Sequence, residues 1–363
     1  MTMKTVIDTV SEGLIERDYE CRLIMLAIVS DEHFLMVGPP GTGKSLMADR
    51  YIGALAARGF GQLMHKHLPP EELIGPVMLS KLKQDQYERM VTGMLPEAEF
   101  AFLDEIWKGS PALLNVQLGI LNERKFRNGT SGVVNCPLIT AIAASNEWPI
   151  GDGYETMGAL FDRFLIRKSI TAVSTGLRAQ LAFGDEPPAV SPVATVADVK
   201  QWQAESRAKQ WQDDAKDAFL DGIVSLEQQG VIVGDRRIRA ATKVAQSSAV
   251  LNEHDKVEVS DLDPLKHVLW ATPDQEAKAA EVIGKMADPL SYRVQEILME
   301  AKETIDNVKD FNSGEAFSAV SKVKTLMKEM DKIPDPGTGT MDSAKKYIRQ
   351  LLQDLNRRII DVT

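Results

Sequence analysis

The chain contains few of the residues that build metal centres or redox motifs. It has two cysteines and five histidines in 363 residues. Cys21 and Cys136 lie far apart in sequence and form no metal-binding or redox spacing. We therefore interpret both as reduced thiols, which is typical of a cytoplasmic protein.

Long hydrophobic runs are also missing. The longest apolar stretch, residues 23–29, is far shorter than the roughly 20 residues that a helix needs to cross a bilayer. Residues 1–12 mix charges with scattered apolar side chains and lack the apolar centre of a signal peptide. We expect a soluble cytoplasmic chain that does not insert into a membrane.

Positive charge is not in excess. Lysine and arginine total 42 against 52 aspartate and glutamate residues, which gives a net charge of −10 and a pI near 5.2. A constitutive nucleic-acid binder usually carries a basic face, so no nucleic-acid partner is expected. A local basic channel stays compatible with these totals.

The first half of the chain does contain an alternation of short apolar runs with helical patterns. Buried apolar strands that alternate with helices predict a parallel sheet covered on both faces, which is an α/β fold. A Ser110-Pro111 pair predicts the start of one of these helices. The predicted strands span residues 33–37, 63–67, 100–103, 138–144 and 164–170.

After about residue 172 the pattern changes to helices alone. Pro187, Pro188 and Pro192 mark a linker, and residues 334–339 predict a loop between the last two helices. We predict an α/β domain over residues 1–175, an all-α lid over 190–273, and a helical extension over 274–363 that forms a hairpin or coiled coil. The predicted lid helices span residues 196–212, 215–228, 236–252 and 261–270.

The strongest motif is a glycine-rich segment between the first strand and a helix, the context that a phosphate-binding loop requires. Its glycines let backbone N–H groups turn towards phosphate oxygens, and the helix adds the positive end of its dipole. Lys44 is predicted to neutralise β- and γ-phosphate charge, and the Ser45 hydroxyl to bind Mg²⁺. The predicted ATP-binding residues are Gly38, Pro39, Pro40, Gly41, Thr42, Gly43, Lys44, Ser45 and Leu46.

Two later strands end in polar residues that complete this chemistry. Asp104 and Glu105 follow a buried strand, where Asp104 is predicted to hold Mg²⁺ through water and Glu105 to polarise the attacking water. Asn146 follows the next strand, which is expected to lie between the other two. It is predicted to contact the γ-phosphate or order the lytic water; an ordinary turn residue is the alternative.

Four arginines are candidates for contacts beyond the loop. Arg163, between apolar residues, is predicted to reach a neighbouring subunit's ATP, with a structural pair to Asp162 or to a helix end as the alternative. Arg167 competes for the same role. At the start of a lid helix, Arg237 is predicted to reach over the phosphates, with Arg236 close behind; a solvated basic helix face is the alternative.

These motifs together resemble AAA+ ATPases of the MoxR family, closest to the RavA-like branch, over about residues 8–270. The resemblance is carried by Gly38–Ser45 and by residues 87–89, 93–98, 102–108, 122–129, 143–147 and 162–164. It implies Walker A roles for Lys44 and Ser45, Walker B roles for Asp104 and Glu105, and sensor 1, arginine-finger and sensor 2 roles for Asn146, Arg163 and Arg237, respectively.

The resemblance also implies assembly and partners. It predicts homohexameric rings with active sites shared between subunits, and a von Willebrand A domain protein that brings the ATPase to a client protein for remodelling. Insertions near the ring pore are expected at residues 76–95 and 126–137, each a hairpin. A DNA-directed AAA+ motor and a nucleotide-gated scaffold with low turnover are the alternative functions.

Overall fold

Five parallel strands form the central sheet in a computed structural model, which describes residues 2–149, 154–308, 314–334 and 340–362. Their spatial order is β2-β3-β6-β1-β7, and a separate antiparallel pair joins β4 to β5. The predicted α/β class is confirmed. The strands are β1 (Phe34–Val37), β2 (Gly59–Leu63), β3 (Phe100–Asp104), β4 (Lys125–Arg127), β5 (Val133–Asn135), β6 (Thr140–Ser145) and β7 (Ile166–Ser169).

Burial explains which predicted strands are accurate. Every residue of β1 and β6 is buried, as expected for central strands covered by helices on both faces. The second predicted strand, residues 63–67, is wrong: β2 lies at Gly59–Leu63, and only Phe60 within it is buried. An edge strand with two glycines gives no continuous apolar run, so the hydrophobic pattern does not mark it.

Helices flank the sheet and continue through the second half of the chain. They are α1 (Met3–Ser11), α2 (Asp18–Ser30), α3 (Lys44–Ala54), α4 (Glu71–Ile74), α5 (Leu79–Leu82), α6 (Pro111–Glu123), α7 (Tyr154–Phe161), α8 (Arg178–Phe183), α9 (Val196–Ala208), α10 (Asp213–Gln228), α11 (Asp235–Leu251), α12 (Glu276–Ala287), α13 (Pro289–Asp306), α14 (Gly314–Met330) and α15 (Thr340–Val362). Helix α6 starts as predicted, with Ser110 at its N-cap and Pro111 at its first position.

One predicted lid helix has a different form. The sequence pattern predicts an α-helix over residues 261–270, but Val259–His267 forms a 3-10 helix with Pro264 inside it. Proline lacks the N–H that an α-helix needs at an interior position, and its ring crowds the preceding turn. Helix α11 nevertheless packs on this segment, and both belong to the same apolar cluster as the sheet.

The helices after residue 288 form a second apolar cluster. Val294 and Ile297 of α13 are buried with Val323 of α14 and Ile348 of α15, so these three helices pack against one another rather than as a two-helix hairpin. Helix α12 still packs with the lid. The predicted loop lies, apart from Pro334, outside the described residues. Within the described ranges, no helix is both long enough and apolar enough to cross a membrane.

The two expected insertions contact each other. Residues 126–137 contain the predicted hairpin, β4 paired with β5. Residues 76–95 contain α5 and a single bridge between Val77 and Arg89, so this insertion is mostly not strand. The Asn128 side chain accepts from Arg89 N at 2.7 Å and donates to Arg89 O at 3.1 Å. The two insertions therefore form one body.

Gly129 is expected to be essential to this body. Its φ is +53°, and a Cβ there would lie 1.9 Å from the Tyr87 carbonyl oxygen. Gly129→Ala should lower the free energy of unfolding by on the order of 2 kcal/mol, because a left-handed backbone and a backbone clash are combined. Urea denaturation measures this. Gly61→Ala, in a strand with open space around the new methyl group, is the control, and equal losses would contradict the explanation.

Candidate active site

The phosphate loop lies at the carboxyl end of β1, between that strand and α3. Gly41 and Gly43 have φ of +75° and +83°, values that L side chains rarely adopt, although a Cβ at either would meet no other atom within 4 Å. These glycines are therefore needed for backbone conformation rather than for space. Gly38 is needed for space instead, because a Cβ at this position would lie 2.1 Å from the Ile170 carbonyl oxygen.

Lys44 is folded against this loop. Its Nζ donates to Gly38 O at 2.6 Å and to Pro39 O at 2.8 Å, and lies 3.3 Å from Asn146 Oδ1. Burial lowers the pKa of Lys44, while the nearby carboxylates of Asp104 and Glu105 act in the opposite direction. The lysine thus lies at the loop with its donors turned inward, while Ser45 and Leu46 are less enclosed.

The two carboxylates follow β3 as the sequence predicts. Asp104 is the last residue of the strand, and its Oδ1 accepts from Glu105 N at 2.9 Å. Glu105 has a φ of +51°, a left-handed value that is uncommon for a residue with a side chain. Its Oε1 lies 3.2 Å from Lys108 Nζ, and its Oε2 is buried with no hydrogen-bond partner among the described residues.

Asn146 joins the lysine to the glutamate. It follows β6, which lies between β3 and β1 as expected, so its side chain stands beside both of their carboxyl ends. Its Oδ1 faces Lys44 and its Nδ2 donates to Glu105 Oε1. The structure therefore brings Lys44, Asp104, Glu105 and Asn146 into one polar cluster.

Arg163 lies at the other end of the sheet. It follows α7 and precedes β7, whose first residue, Ile166, pairs with Phe34, the first residue of β1. The phosphate loop follows the last residue of β1. Along the strand direction, Arg163 and the phosphate loop are therefore separated by about 10 Å, the length of the strand. The Arg163 side chain is 19% exposed, lies 3.9 Å from Asp162, and has a buried Nε with no partner among the described residues.

The other arginines differ sharply in exposure. Arg167 is 1% exposed and donates to the carbonyls of Phe161, Phe164, Trp270 and Ala271, so it cannot reach a neighbour in this arrangement. Arg237 is 5% exposed and binds Asp162 and the carbonyls of Leu165 and Val268. Arg236 is exposed and donates to Asn122.

Arg237 thus lies at the same end of the sheet as Arg163, and not at the end that carries the phosphate loop. Leu165 immediately precedes β7, at the amino end of the parallel strands. The predicted contact of Arg237 with phosphates stays a prediction.

Arg17 is a residue that the sequence reasoning missed. It is 6% exposed, and its guanidinium donates to Thr42 O at 3.0 Å, Glu16 O at 2.6 Å and Thr171 O at 2.8 Å. It therefore ties the phosphate loop to the segments before α2 and after β7. A lone arginine next to a helix start carries no motif, so only the fold reveals this contact.

Comparison with known proteins agrees with this geometry. A family model described as the MoxR domain in the MoxR-vWA-beta-propeller ternary systems matches residues 1–195, and one described as an AAA lid domain matches residues 219–283. The first match alone spans more than half of the chain. The protein belongs to the MoxR family of AAA+ ATPases.

Individual relatives extend the match. Two uncharacterized proteins of Methanocaldococcus jannaschii are 31% and 28% identical over 308 and 318 residues; the matches span 84% and 85% of this MoxR-family chain and 80% and 79% of theirs. A solved structure from Cytophaga hutchinsonii, provisionally described as an ATPase, has a TM-score of 0.62 at 17% identity and covers 78% of this chain and 92% of its own. That likeness concerns the fold. The RavA-like branch stays a prediction.

The contact of Arg17 with the loop gives a testable expectation. Arg17→Met should lower the free energy of unfolding by about 2 kcal/mol, because three carbonyl oxygens lose a charged donor in a buried place. Chemical denaturation measures the change, with Arg207→Met, at an exposed position, as the matched control. If both variants unfold at the same denaturant concentration as the parent protein, Arg17 does not stabilise the loop.

Proposed function

We propose that this protein hydrolyses ATP with Mg²⁺ in a homohexameric ring and uses the energy to remodel or activate a partner protein. The single observation that carries the proposal is the division of the polar groups between two ends of the sheet. Lys44, Asp104, Glu105 and Asn146 cluster at one end, and Arg163 lies at the other. Such a division suits a site completed by a second subunit.

The residues at the loop suit a nucleotide triphosphate and its metal ion. Backbone amides and Lys44 offer positive charge to phosphate oxygens. The Ser45 hydroxyl and the Asp104 carboxylate are the hard oxygen ligands that Mg²⁺ prefers, with water between ion and carboxylate. Bound Mg²⁺ would supply neutralisation of charge on the transferring phosphate. The other nucleotide contacts come from Gly38, Pro39, Pro40, Gly41, Thr42, Gly43 and Leu46.

Glu105 and Asn146 would act on the water. Glu105 takes the proton of the attacking water, and its buried Oε2 without a described partner is the oxygen available for that hydrogen bond. Asn146 holds Glu105 through its Nδ2 and can turn its amide towards the γ-phosphate or the water. Lys44 exchanges the carbonyls of Gly38 and Pro39 for phosphate oxygens.

Arg163 would complete a neighbour's site. Its position on the sheet puts it about a strand length from its own phosphate loop, and its 19% exposed side chain is proposed to meet a ring neighbour. In a ring built from head-to-tail contacts, this end of one subunit faces the loop end of the next. There it would stabilise negative charge as the γ-phosphate transfers.

The partner proposal rests on the family. The matching family model is described from MoxR-vWA-beta-propeller ternary systems, so a von Willebrand A domain protein is the proposed partner. We also propose three units: the nucleotide-binding domain at 1–175, the lid at 190–273 and the helical extension at 274–363. The joined insertions at 76–95 and 126–137 are proposed to face the ring pore.

Glu105→Gln tests the catalytic base. It should keep ATP binding and lower turnover by at least about 100-fold, because the amide cannot take a proton but preserves the shape of the side chain. Phosphate release and nucleotide binding are measured side by side, with Glu123→Gln, at an exposed glutamate, as control. Turnover within a few-fold of the parent protein would remove Glu105 from this role.

Mixing experiments test the shared site. Arg163→Ala should lower turnover by about 10³-fold or more, and Lys44→Ala should abolish ATP binding. In rings that mix both variants, an Arg163→Ala subunit receives an intact arginine from a Lys44→Ala neighbour, which restores about a quarter of the sites at equal amounts. Native mass spectrometry confirms mixing. Mixed rings without recovered activity would show that Arg163 does not act across the interface.

A further inference from the structure

The short segment that carries Arg163 is bound by two buried arginines. Residues 162–165 connect α7 to β7. Arg237, near the start of lid helix α11, donates to Asp162 Oδ1 at 2.9 Å, to Leu165 O at 3.1 Å and to Asp162 O at 3.4 Å. Arg167 donates to Phe164 O at 2.8 Å and Phe161 O at 3.2 Å. Four carbonyls around Arg163 are therefore fixed by arginines.

Both arginines also bind the segment that follows the lid's 3-10 helix. Arg237 donates to Val268 O at 3.0 Å, and Arg167 to Trp270 O at 3.1 Å and Ala271 O at 3.2 Å. The Arg167 guanidinium in addition stacks on the ring of Phe161 at 3.8 Å. The position of the Arg163 segment thus depends on where the lid lies.

The Asp162 carboxylate is the link that touches Arg163 itself. Its Oδ2 lies 3.9 Å from Arg163 Nη1, while its Oδ1 is held by Arg237. The Asp162 side chain is 51% exposed, but the Arg237 side chain that holds it is 5% exposed. A planar guanidinium presents its donors in a fixed fork, so a buried arginine at this place restricts the carboxylate more than a lysine would.

We propose that Arg237 is a positioning residue for Arg163: through Asp162 and the neighbouring carbonyls, the lid sets the reach of the Arg163 guanidinium towards a neighbouring subunit's ATP. The inference rests on the proposed shared site. It adds that the lid of one subunit controls catalysis in the next subunit, with Asp162 as the connecting group. Arg237 then acts through Arg163 and need not touch phosphate.

Asp162→Ala and Arg237→Lys are the test variants. Each should lower kcat by about 10- to 100-fold with KM for ATP within about threefold, because a displaced catalytic group slows the chemical step more than it weakens binding. Lys243→Met is the matched control, since Lys243 lies on the same helix α11 and pairs with Glu32 at 2.7 Å, away from residues 161–165. Its kcat should not change.

A second readout distinguishes positioning from general damage. If Asp162 acts only through Arg163, adding Asp162→Ala to Arg163→Ala should lower turnover by less than about twofold more. Asp162→Ala subunits should also regain turnover when mixed with Lys44→Ala subunits, which carry an intact Arg163, but not when mixed with Arg163→Ala subunits. Where Asp162→Ala does not assemble, Asp162→Asn replaces it in every comparison.

The outcomes separate the two proposals. If Arg163→Ala is not rescued by Lys44→Ala in mixed rings, the shared site itself fails. If that rescue succeeds but Asp162→Ala and Arg237→Lys keep the parent kcat, the positioning role alone is overturned. The same holds if Asp162→Ala loses turnover without rescue by Lys44→Ala, because the defect then lies in its own site. A large rise in KM with unchanged kcat for Arg237→Lys would overturn the positioning role as well, in favour of direct nucleotide contact.

Discussion

Strand β1 hydrogen-bonds to β6 on one side and to β7 on the other, with Phe34 opposite Ile142 and Ile166. Because all three strands run in the same direction, the residues after β1 and β6 lie at one edge of the sheet, and the residues before β7 lie at the other. The phosphate loop and Asn146 are consequently neighbours, while Arg163 is remote from both. The proposal that a second chain completes the site rests on this register.

An aromatic cluster fills the space between these two edges. Trp107 comes two residues after Glu105, and Trp148 comes two residues after Asn146; both pack on Phe161 with ring centroids 5.9 and 6.1 Å from its own. Trp270, beyond the lid's 3-10 helix, packs on the same ring at 6.3 Å. The turns after Glu105 and Asn146 therefore pack on Phe161, as the lid does. Phe161 directly precedes the segment that carries Arg163. A closely packed interior leaves little room for one of them to move alone.

The sequence predicts the parts of the site that depend on local geometry. The phosphate loop needs glycines at positions of positive φ, a strand before it and a helix after it, and all of these can be read within about 20 residues. Asp104, Glu105 and Asn146 follow apolar strands, so their common edge follows from the parallel arrangement.

Strand β2 is missed because an edge strand with Gly59 and Gly61 has almost no apolar pattern. Contacts across long sequence separations, such as that of Arg237 with Asp162, 75 positions away, leave no local pattern either. A basic residue at a helix start looks the same whether it faces phosphate, solvent or a buried carboxylate, and the choice depends on how the lid packs on the sheet.

The polar groups at the loop hold one another. Lys44 is bound by two loop carbonyls and faces Asn146, whose amide in turn holds Glu105, and Glu105 is paired with Lys108. A triphosphate would offer Lys44 anionic oxygens, and the attraction between opposite charges is one that neutral carbonyl oxygens do not supply. Exchange of the two loop carbonyls for phosphate oxygens would therefore be favourable for Lys44. The same movement would break its contact with Asn146. Since Asn146 also restrains Glu105, the proposed mechanism links phosphate binding at Lys44 to the position of Glu105 through one side chain.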